Sequence, residues 1–175
     1  MSRGDELERW LTEAYATAYR TAWLILRNRA DAEEAVQEAF LRAWRFRHSV
    51  EGADARPWLY RVLVNTCCSR LRREVTVRSR SSGGDGLDAM PWSGDGPDLA
   101  AQRSELASAV AAAVGGLPDH LRIPVVLRYY SGLSEREVAS AISRRPGTVK
   151  SRLHEARRRL AANPALAALA MEAEL

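Results

Sequence analysis

Ser134-Glu-Arg-Glu-Val-Ala-Ser-Ala-Ile-Ser-Arg-Arg-Pro-Gly-Thr-Val-Lys-Ser-Arg-Leu-His-Glu-Ala-Arg-Arg-Arg-Leu160 contains two helix starts in close succession. Ser134 and Glu137 have the spacing of a capping box, in which hydroxyl and carboxylate each satisfy a backbone N–H that the first helical turn leaves orphaned. Val138, Ala139, Ala141 and Ile142 follow as the apolar side. Pro146 suits the first turn of a second helix, where a missing N–H costs nothing, and Val149, Leu153, Ala156 and Leu160 recur on one face of it. Two short helices joined by the tight turn Ser143 to Arg145 make a helix-turn-helix. The opposite face of the second helix offers Lys150, Ser151, His154 and Arg158, donors suited to base edges in a major groove.

Upstream, Leu117 and Pro118 begin a helix carrying Leu121, Val125 and Leu127; Pro124 within it is expected to kink it or shift its start, and Gly132 to end it. An Ala-rich helix from about Asp98 through Val114 is closed by Gly115 and Gly116. Ser81 to Pro97 turns to Ser, Gly, Asp and Pro, the composition of a flexible linker. Its acids, with Asp85, Asp88, Asp95 and Asp98, are either simply solvated or a decoy for basic faces. Before the linker three helices are expected. Leu7, Trp10, Leu11, Ala14, Tyr15, Ala18, Ala22, Ile25 and Leu26 form a long stripe. Asp31, with Glu34 three residues on, is expected to cap the next helix, whose buried face is Val36, Ala39, Phe40 and Ala43. Pro57 opens a third, with Leu59, Val62, Leu63, Thr66, Cys67 and Leu71 inward. The chain is therefore expected to be all-α, two small helical domains over 1–80 and 99–162 joined by a linker at 81–98. A tail at 163–175 follows, which either packs back on the second domain or meets a partner.

The formal charge of the 175 residues is +4, and its distribution matters more than its size. Arg56, Arg61, Arg70, Arg72, Arg73, Arg78 and Arg80 gather against Glu74 alone, and Arg144, Arg145, Lys150, Arg152, Arg157, Arg158 and Arg159 against Glu155 alone. Two separated basic segments point to two contacts with a polyanion, or else to two solvated helix faces. Charges interrupt the apolar positions from Leu7 to Leu26, so no signal peptide or membrane span is expected, and the protein is read as soluble and cytoplasmic. Cys67 and Cys68 are adjacent, too few for a zinc site and unable to staple distant segments. No phosphate-cradling Gly loop, nucleophile arrangement or metal cluster appears, which argues against an enzyme and against a cofactor.

Three blocks resemble extracytoplasmic-function sigma factors of the sigma-70 family. Asp31-Ala-Glu-Glu-Ala-Val-Gln-Glu-Ala-Phe-Leu-Arg-Ala-Trp44 is similar to their polymerase-binding region 2.2. Arg56-Pro-Trp-Leu-Tyr-Arg-Val-Leu-Val-Asn65 is similar to region 2.3 to 2.4. Gly147-Thr-Val-Lys-Ser-Arg-Leu-His-Glu-Ala-Arg-Arg-Arg-Leu160 is similar to the recognition helix of region 4.2. The resemblance covers both halves of the chain in the family's order. It implies a non-catalytic subunit that binds core RNA polymerase, recognises the minus-ten and minus-thirty-five elements of promoter DNA, assists opening and is held by an anti-sigma factor, with no membrane insertion.

For the first block the resemblance implies core polymerase docking by Asp31, Glu34, Gln37, Glu38, Leu41 and Arg42; the alternative is a solvated acidic face. For the second it implies minus-ten contacts by Trp58, Arg61, Asn65, Arg72 and Arg73, with a flipped base read near Asn65 and the pocket shaped by the loop His48 to Asp54; Trp58 is equally readable as core. For the third it implies minus-thirty-five contacts by Thr148, Lys150, Ser151, Arg152, His154, Glu155 and Arg158. Three positions depart from the family's habit. Glu155 stands where relatives carry Arg and suits cytosine N4, Ser143 where Gly is common, and Arg145 where a capping Ser is common. The competing readings are a dimeric helix-turn-helix regulator, which leaves 31–73 unexplained, and a helical adaptor for acidic partners.

Overall fold

The structure, a computed structural model, describes residues 3–46, 55–78 and 107–167, with side chains over 12–46, 56–73 and 107–167. The linker at 81–98, the loop His48 to Asp54, the start of the helix expected from Asp98 and the tail beyond 167 lie outside the described residues. The elements are α1 (Arg3–Leu26), α2 (Arg29–Arg45), α3 (Ala55–Arg78), α4 (107–115), α5 (Asp119–Val125), α6 (Glu135–Ala141) and α7 (Pro146–Ala161), then a short helical turn over 164–167. Among the described residues there is no strand, as the all-α expectation requires.

Helix α1 ends where Arg27 turns left-handed, φ 62°, with its N–H bonded back to the carbonyl of Trp23 at 2.7 Å. The chain reverses at once, so Asn28 is the first residue with extended backbone and a short acceptor side chain. Its Oδ1 takes the N–H of Asp31 at 3.0 Å and caps α2. The expected cap at Asp31 is therefore corrected: the cap is Asn28, three residues earlier, and Asp31 lies in the first turn of the helix, where a carboxylate is favoured by the helix dipole. Asn163 caps the turn over 164–167 in the same way, accepting from Ala165 N–H at 3.0 Å.

Pro124 leaves the carbonyl of His120 without its helical donor, and its ring crowds that carbonyl. Helix α5 accommodates this by widening into a π turn over Val126–Tyr130, closed by Ser131 N–H to the Val126 carbonyl at 3.0 Å. Gly132, at φ 70°, then breaks the helix as expected. The capping box of α6 is complete, with Glu137 Oε2 accepting from Ser134 N–H at 2.6 Å and Ser134 Oγ accepting from Glu137 N–H at 3.3 Å. Those bonds from Ser134 hold the Glu137 carboxyl below its ordinary range.

Alanines dominate the meeting faces of α1 and α2, where Ala18, Ala22, Ala32, Ala35, Ala39 and Ala43 are buried, so the helix axes can approach closely. Leu59, Leu63 and Cys67 of α3 close this first layer. Leu121, Leu127, Leu133, Val138, Val149 and Leu153 form the interior of the second half. The two interiors are continuous, because α3 packs on α6 as well as on α1 and α2. That second neighbour explains why Tyr60 and Val64, off the inward side expected for α3, are also buried.

Cys67 is fully buried, and burial pushes its thiol up to about 12 from an ordinary 9.0. A folded-state value above the unfolded one favours folding below pH 9 and withdraws that support as pH rises towards 12. The urea midpoint is therefore expected to hold steady up to about pH 9 and to fall between 9 and 12, with a shallower fall in Cys67→Ala. Equal slopes in both proteins would remove Cys67 as a cause.

Candidate nucleic-acid interface

Val149, Leu153 and Ala156 fasten α7 to the second interior. Rotated away from them, Lys150, Ser151, His154 and Arg158 are exposed and lie within roughly 100° of arc on one helical face. Thr148 and Arg152 are half-buried at its margins, and Glu155 is half-buried and paired with Arg159 at 2.6 Å. That pairing directs the Glu155 carboxylate along its own helix, which explains how an acid is tolerated in so basic a segment.

Trp58, Arg61, Asn65 and Arg72 fall within roughly 60° of arc on α3. Arg61, Asn65, Arg72 and Arg73 are exposed, while Trp58 is half-buried and packed against the core, so both readings of that residue hold in part. Arg72 Nε donates to the Cys68 carbonyl at 3.1 Å. No described group engages the Asn65 side-chain amide, whose donor and acceptor pattern suits a base edge.

Two arginines counted with the basic segment are engaged within the fold instead. Arg70 pairs with Asp31 at 3.0 Å and Glu34 at 2.8 Å, fastening α3 to the first turn of α2. Partial burial lowers its pKa, but the bonds and charges of Glu34 and Asp31 outweigh burial and raise it overall. Arg56 donates to the Ser131 carbonyl and lies over the Tyr60 ring, 6.0 Å from its centroid. Helix position decides this division: Arg70 shares the side of α3 that carries Leu59 and Leu63, and Arg61 does not.

On α2, Glu34, Gln37, Leu41 and Arg42 are exposed and Glu38 is half-buried, opposite the buried Ala32, Ala35, Val36 and Ala39. Glu38 and Arg42 pair at 2.5 Å, so this face is largely self-neutralised and leaves Leu41, 59% exposed, as its apolar centre. Trp44, 41% exposed, extends the face one turn on. The sequence reading passed over it, although its i, i+3 spacing from Leu41 was the available signal.

Family models match both halves: sigma-70 region 2 over residues 7–76 and sigma-70 region 4 over 107–160. The chain is 35% identical over 135 residues to the ECF RNA polymerase sigma-E factor of Escherichia coli K12, covering 73% of this chain and 70% of that protein. It is also 31% identical over 160 residues to the ECF RNA polymerase sigma factor SigE of Mycolicibacterium smegmatis, covering 91% of this chain and 61% of that one. The chain belongs to the ECF sigma factors. Members are specificity subunits of RNA polymerase rather than enzymes. Among solved structures, the sigma factor RpoE from Bartonella quintana, in complex with the anti-sigma factor NepR, matches with a TM-score of 0.72 and 25% identity over 89% of this chain and 94% of that one. CnrH, in complex with the cytosolic domain of CnrY, shares the fold, with a TM-score of 0.61, 21% identity and coverage of 89% and 85%.

In this region 4 the two local departures have visible costs. Ser143 sits at φ 52°, a left-handed conformation that favours glycine, and Arg145, the N-cap of α7, makes no side-chain capping bond. Ser143→Gly is expected to stabilise the chain by about 0.5–1 kcal/mol, the left-handed cost less the entropy that glycine adds to the unfolded state. Arg145→Ser is expected to add about 1 kcal/mol by supplying the cap. Urea denaturation checks both, and a lowered midpoint in either variant would contradict the geometry assigned to that turn.

Proposed function

We propose that this sigma factor binds core RNA polymerase through α2 and directs promoter-specific initiation, with α3 serving the minus-ten element and α7 the minus-thirty-five element. One observation carries the assignment. On each of the two reading helices the stripe of basic and polar side chains stays exposed while the apolar face is packed into the fold. On α7, Lys150, Ser151, His154 and Arg158 are the base-edge candidates, while Thr148 and Arg152 suit phosphates. Glu155, held by Arg159, is available to cytosine N4 after a change of partner.

On α3, Arg61, Arg72 and Arg73 attract phosphates, Trp58 offers a half-exposed ring edge, and Asn65 reads an extruded base. Captured single-stranded bases offset the loss of pairing and stacking, so opening uses no nucleotide cofactor. Asp31, Glu34, Gln37, Glu38, Leu41 and Arg42 form the polymerase face. Asp31 contributes indirectly, because Arg70 holds it against α3. Residues 1–80 and 99–162 act as the two working domains and 81–98 as their connection. The complex of the similar sigma factor RpoE with the anti-sigma factor NepR supports an anti-sigma factor as a further partner. No described helix is long and apolar enough to cross a membrane, which supports a cytoplasmic location without membrane insertion.

Purified chain added to bare core polymerase is expected to start transcription at specific promoters, and failure to associate with core would reject this reading. Leu41→Asp is expected to weaken core association by about tenfold or more, since it places a charge at the apolar centre of the docking face. Asn65→Ala is expected to lower promoter opening by about tenfold, the size of one lost base contact, and to leave duplex minus-thirty-five binding within about twofold. Uniform loss across all promoter positions would show that Asn65 reads no base.

A further inference from the structure

Three guanidiniums from two parts of the chain converge on one open cleft of about 670 Å³. Arg61 of α3 lines one side of it, and Arg144 and Arg145, in the turn before α7, line the other with Ser140, Ser143 and Thr148. Most arginines elsewhere are tied to an acid of the chain: Arg42 to Glu38, Arg70 to Asp31 and Glu34, Arg122 to Asp119, and Arg159 to Glu155. These three are not. Among the described residues no carboxylate lines the cleft, and none pairs with Arg61, Arg144 or Arg145. Arg144 Nη1 donates only to the neighbouring Ser143 carbonyl, at 3.4 Å.

The backbone beside these side chains adds donors of the same sign. Arg145 is the N-cap of the 16-residue α7, and its side chain makes no capping bond. The N–H of Gly147 therefore keeps no described acceptor, and nothing lies within 4 Å of the place that a Cβ would take there. The hydroxyls of Ser140, Ser143 and Thr148 can turn to donate as well. Like charges gathered without a counter-charge repel one another, and a bound anion relieves that repulsion.

Size and lining narrow the class of anion. A space of 670 Å³ is about 9 Å across if equant, less than the roughly 12 Å of a duplex's major groove alone, so it suits a small molecule rather than a DNA helix. Three guanidiniums call for about three negative charges, whereas a single phosphate carries roughly 1.5 to 2 at pH 7. Two or more linked phosphates meet the charge and let each guanidinium take a pair of oxygens. Ala139 is the apolar lining residue and no aromatic ring joins it, so a nucleobase finds no face on which to stack.

We propose that this cleft is a binding site for inorganic condensed phosphate, pyrophosphate or a short polyphosphate, held between Arg61 on one side and Arg144, Arg145 and the start of α7 on the other. The site goes beyond the functional reading and does not rest on it, although Arg61 and Thr148 are also the groups offered above to promoter phosphates.

Isothermal titration calorimetry of the full chain with inorganic tripolyphosphate, without polymerase, DNA or divalent cations, tests it. One site per chain is expected, about tenfold or more tighter than for orthophosphate and weakened by added salt. Arg61→Gln and Arg144→Gln are each expected to weaken binding by about tenfold, the size of one lost charge-assisted contact. Arg157→Gln, which removes an exposed charge of α7 outside the cleft, is expected to change it by less than about threefold. All three side chains are exposed, so an unchanged urea midpoint is expected and shows that the fold is kept. No binding, several weak sites per chain, or equal losses in all three variants overturn the site and leave an ordinary basic surface. Loss in Arg144→Gln without loss in Arg61→Gln overturns the bridge between α3 and the turn. ADP is expected to bind no more tightly than pyrophosphate, and a clear preference for ADP overturns the inorganic assignment in favour of a nucleotide.

Discussion

Burial of α3 on two sides is the constraint on which the rest of the structure depends. Leu59, Leu63 and Cys67 face α1 and α2, while Tyr60 and Val64 are buried on the side turned towards the second half, so roughly 160° of the helix is withdrawn from water. A helix held so broadly cannot rotate to offer another face. The stripe of Arg61, Asn65 and Arg72 is what remains outside, and its alignment is set by packing on the far side rather than by anything it touches. The same double burial joins two small interiors into one. This matters for a chain of this size, because each half alone would bury a smaller fraction of its surface.

Charge in this molecule has to be sorted by helix position before it says anything about DNA. Arg56, Arg70 and Arg122 are structural: the first reaches the Ser131 carbonyl, the second bridges Asp31 and Glu34, and the third is buried against the carbonyls of Gly115 and Leu117 and the carboxylate of Asp119. Burial lowers the pKa of Arg122 despite Asp119, which shows how far it has left solvent. Subtracting such residues makes the basic surface smaller than the sequence count implies but better defined. The acidic helix α2 is trimmed in the same way, since Arg70 and Arg42 neutralise much of it from within the chain. What it presents outward is centred on an apolar contact at Leu41.

Local signals were legible in the sequence wherever a single turn decides the outcome. Ser134 with Glu137 is a complete capping box, Gly132 is left-handed, and the apolar stripes of α2 and α7 are buried where their spacing placed them. The α2 cap was misread because Asp31 and Asn28 are equally plausible acceptors. The choice between them was made by the left-handed turn at Arg27, a residue with no propensity to announce it. Pro124 signalled a disturbance but not its form, since a kink, a shifted start and a π turn all relieve the same lost bond. The seam where the two halves meet, at Thr21 of α1 and Ser131 after the π turn, was illegible for a different reason. Thr21 and Ser131 are ordinary hydroxyls whose meaning arises from a contact across 110 positions, and Tyr60 and Val64 look like spare apolar residues until a second partner is known.

The chemistry of that seam differs from the chemistry on either side of it, and the difference bears on reversibility. Each interior is alanine, leucine and valine, held by area removed from water, and opens only by unfolding. The seam adds discrete hydrogen bonds: one between the Thr21 and Ser131 hydroxyls, one from Arg56 to the Ser131 carbonyl and one from Arg27 to the Ala111 carbonyl. At about 0.5–1.5 kcal/mol net for each neutral bond and about 1.5–3 for those from a guanidinium, the three amount to roughly 3.5–7.5 kcal/mol. Water can replace every one of these partners wherever the halves part. Burial of Tyr60 and Val64 is lost as well if the halves part, at about 1.5–3 kcal/mol for each side chain, which brings the cost to roughly 6.5–13.5 kcal/mol. A micromolar association corresponds to about 8 kcal/mol. Parting the halves therefore costs about as much as a micromolar or tighter association supplies, a cost shared between the polar bonds and the continuous apolar interior.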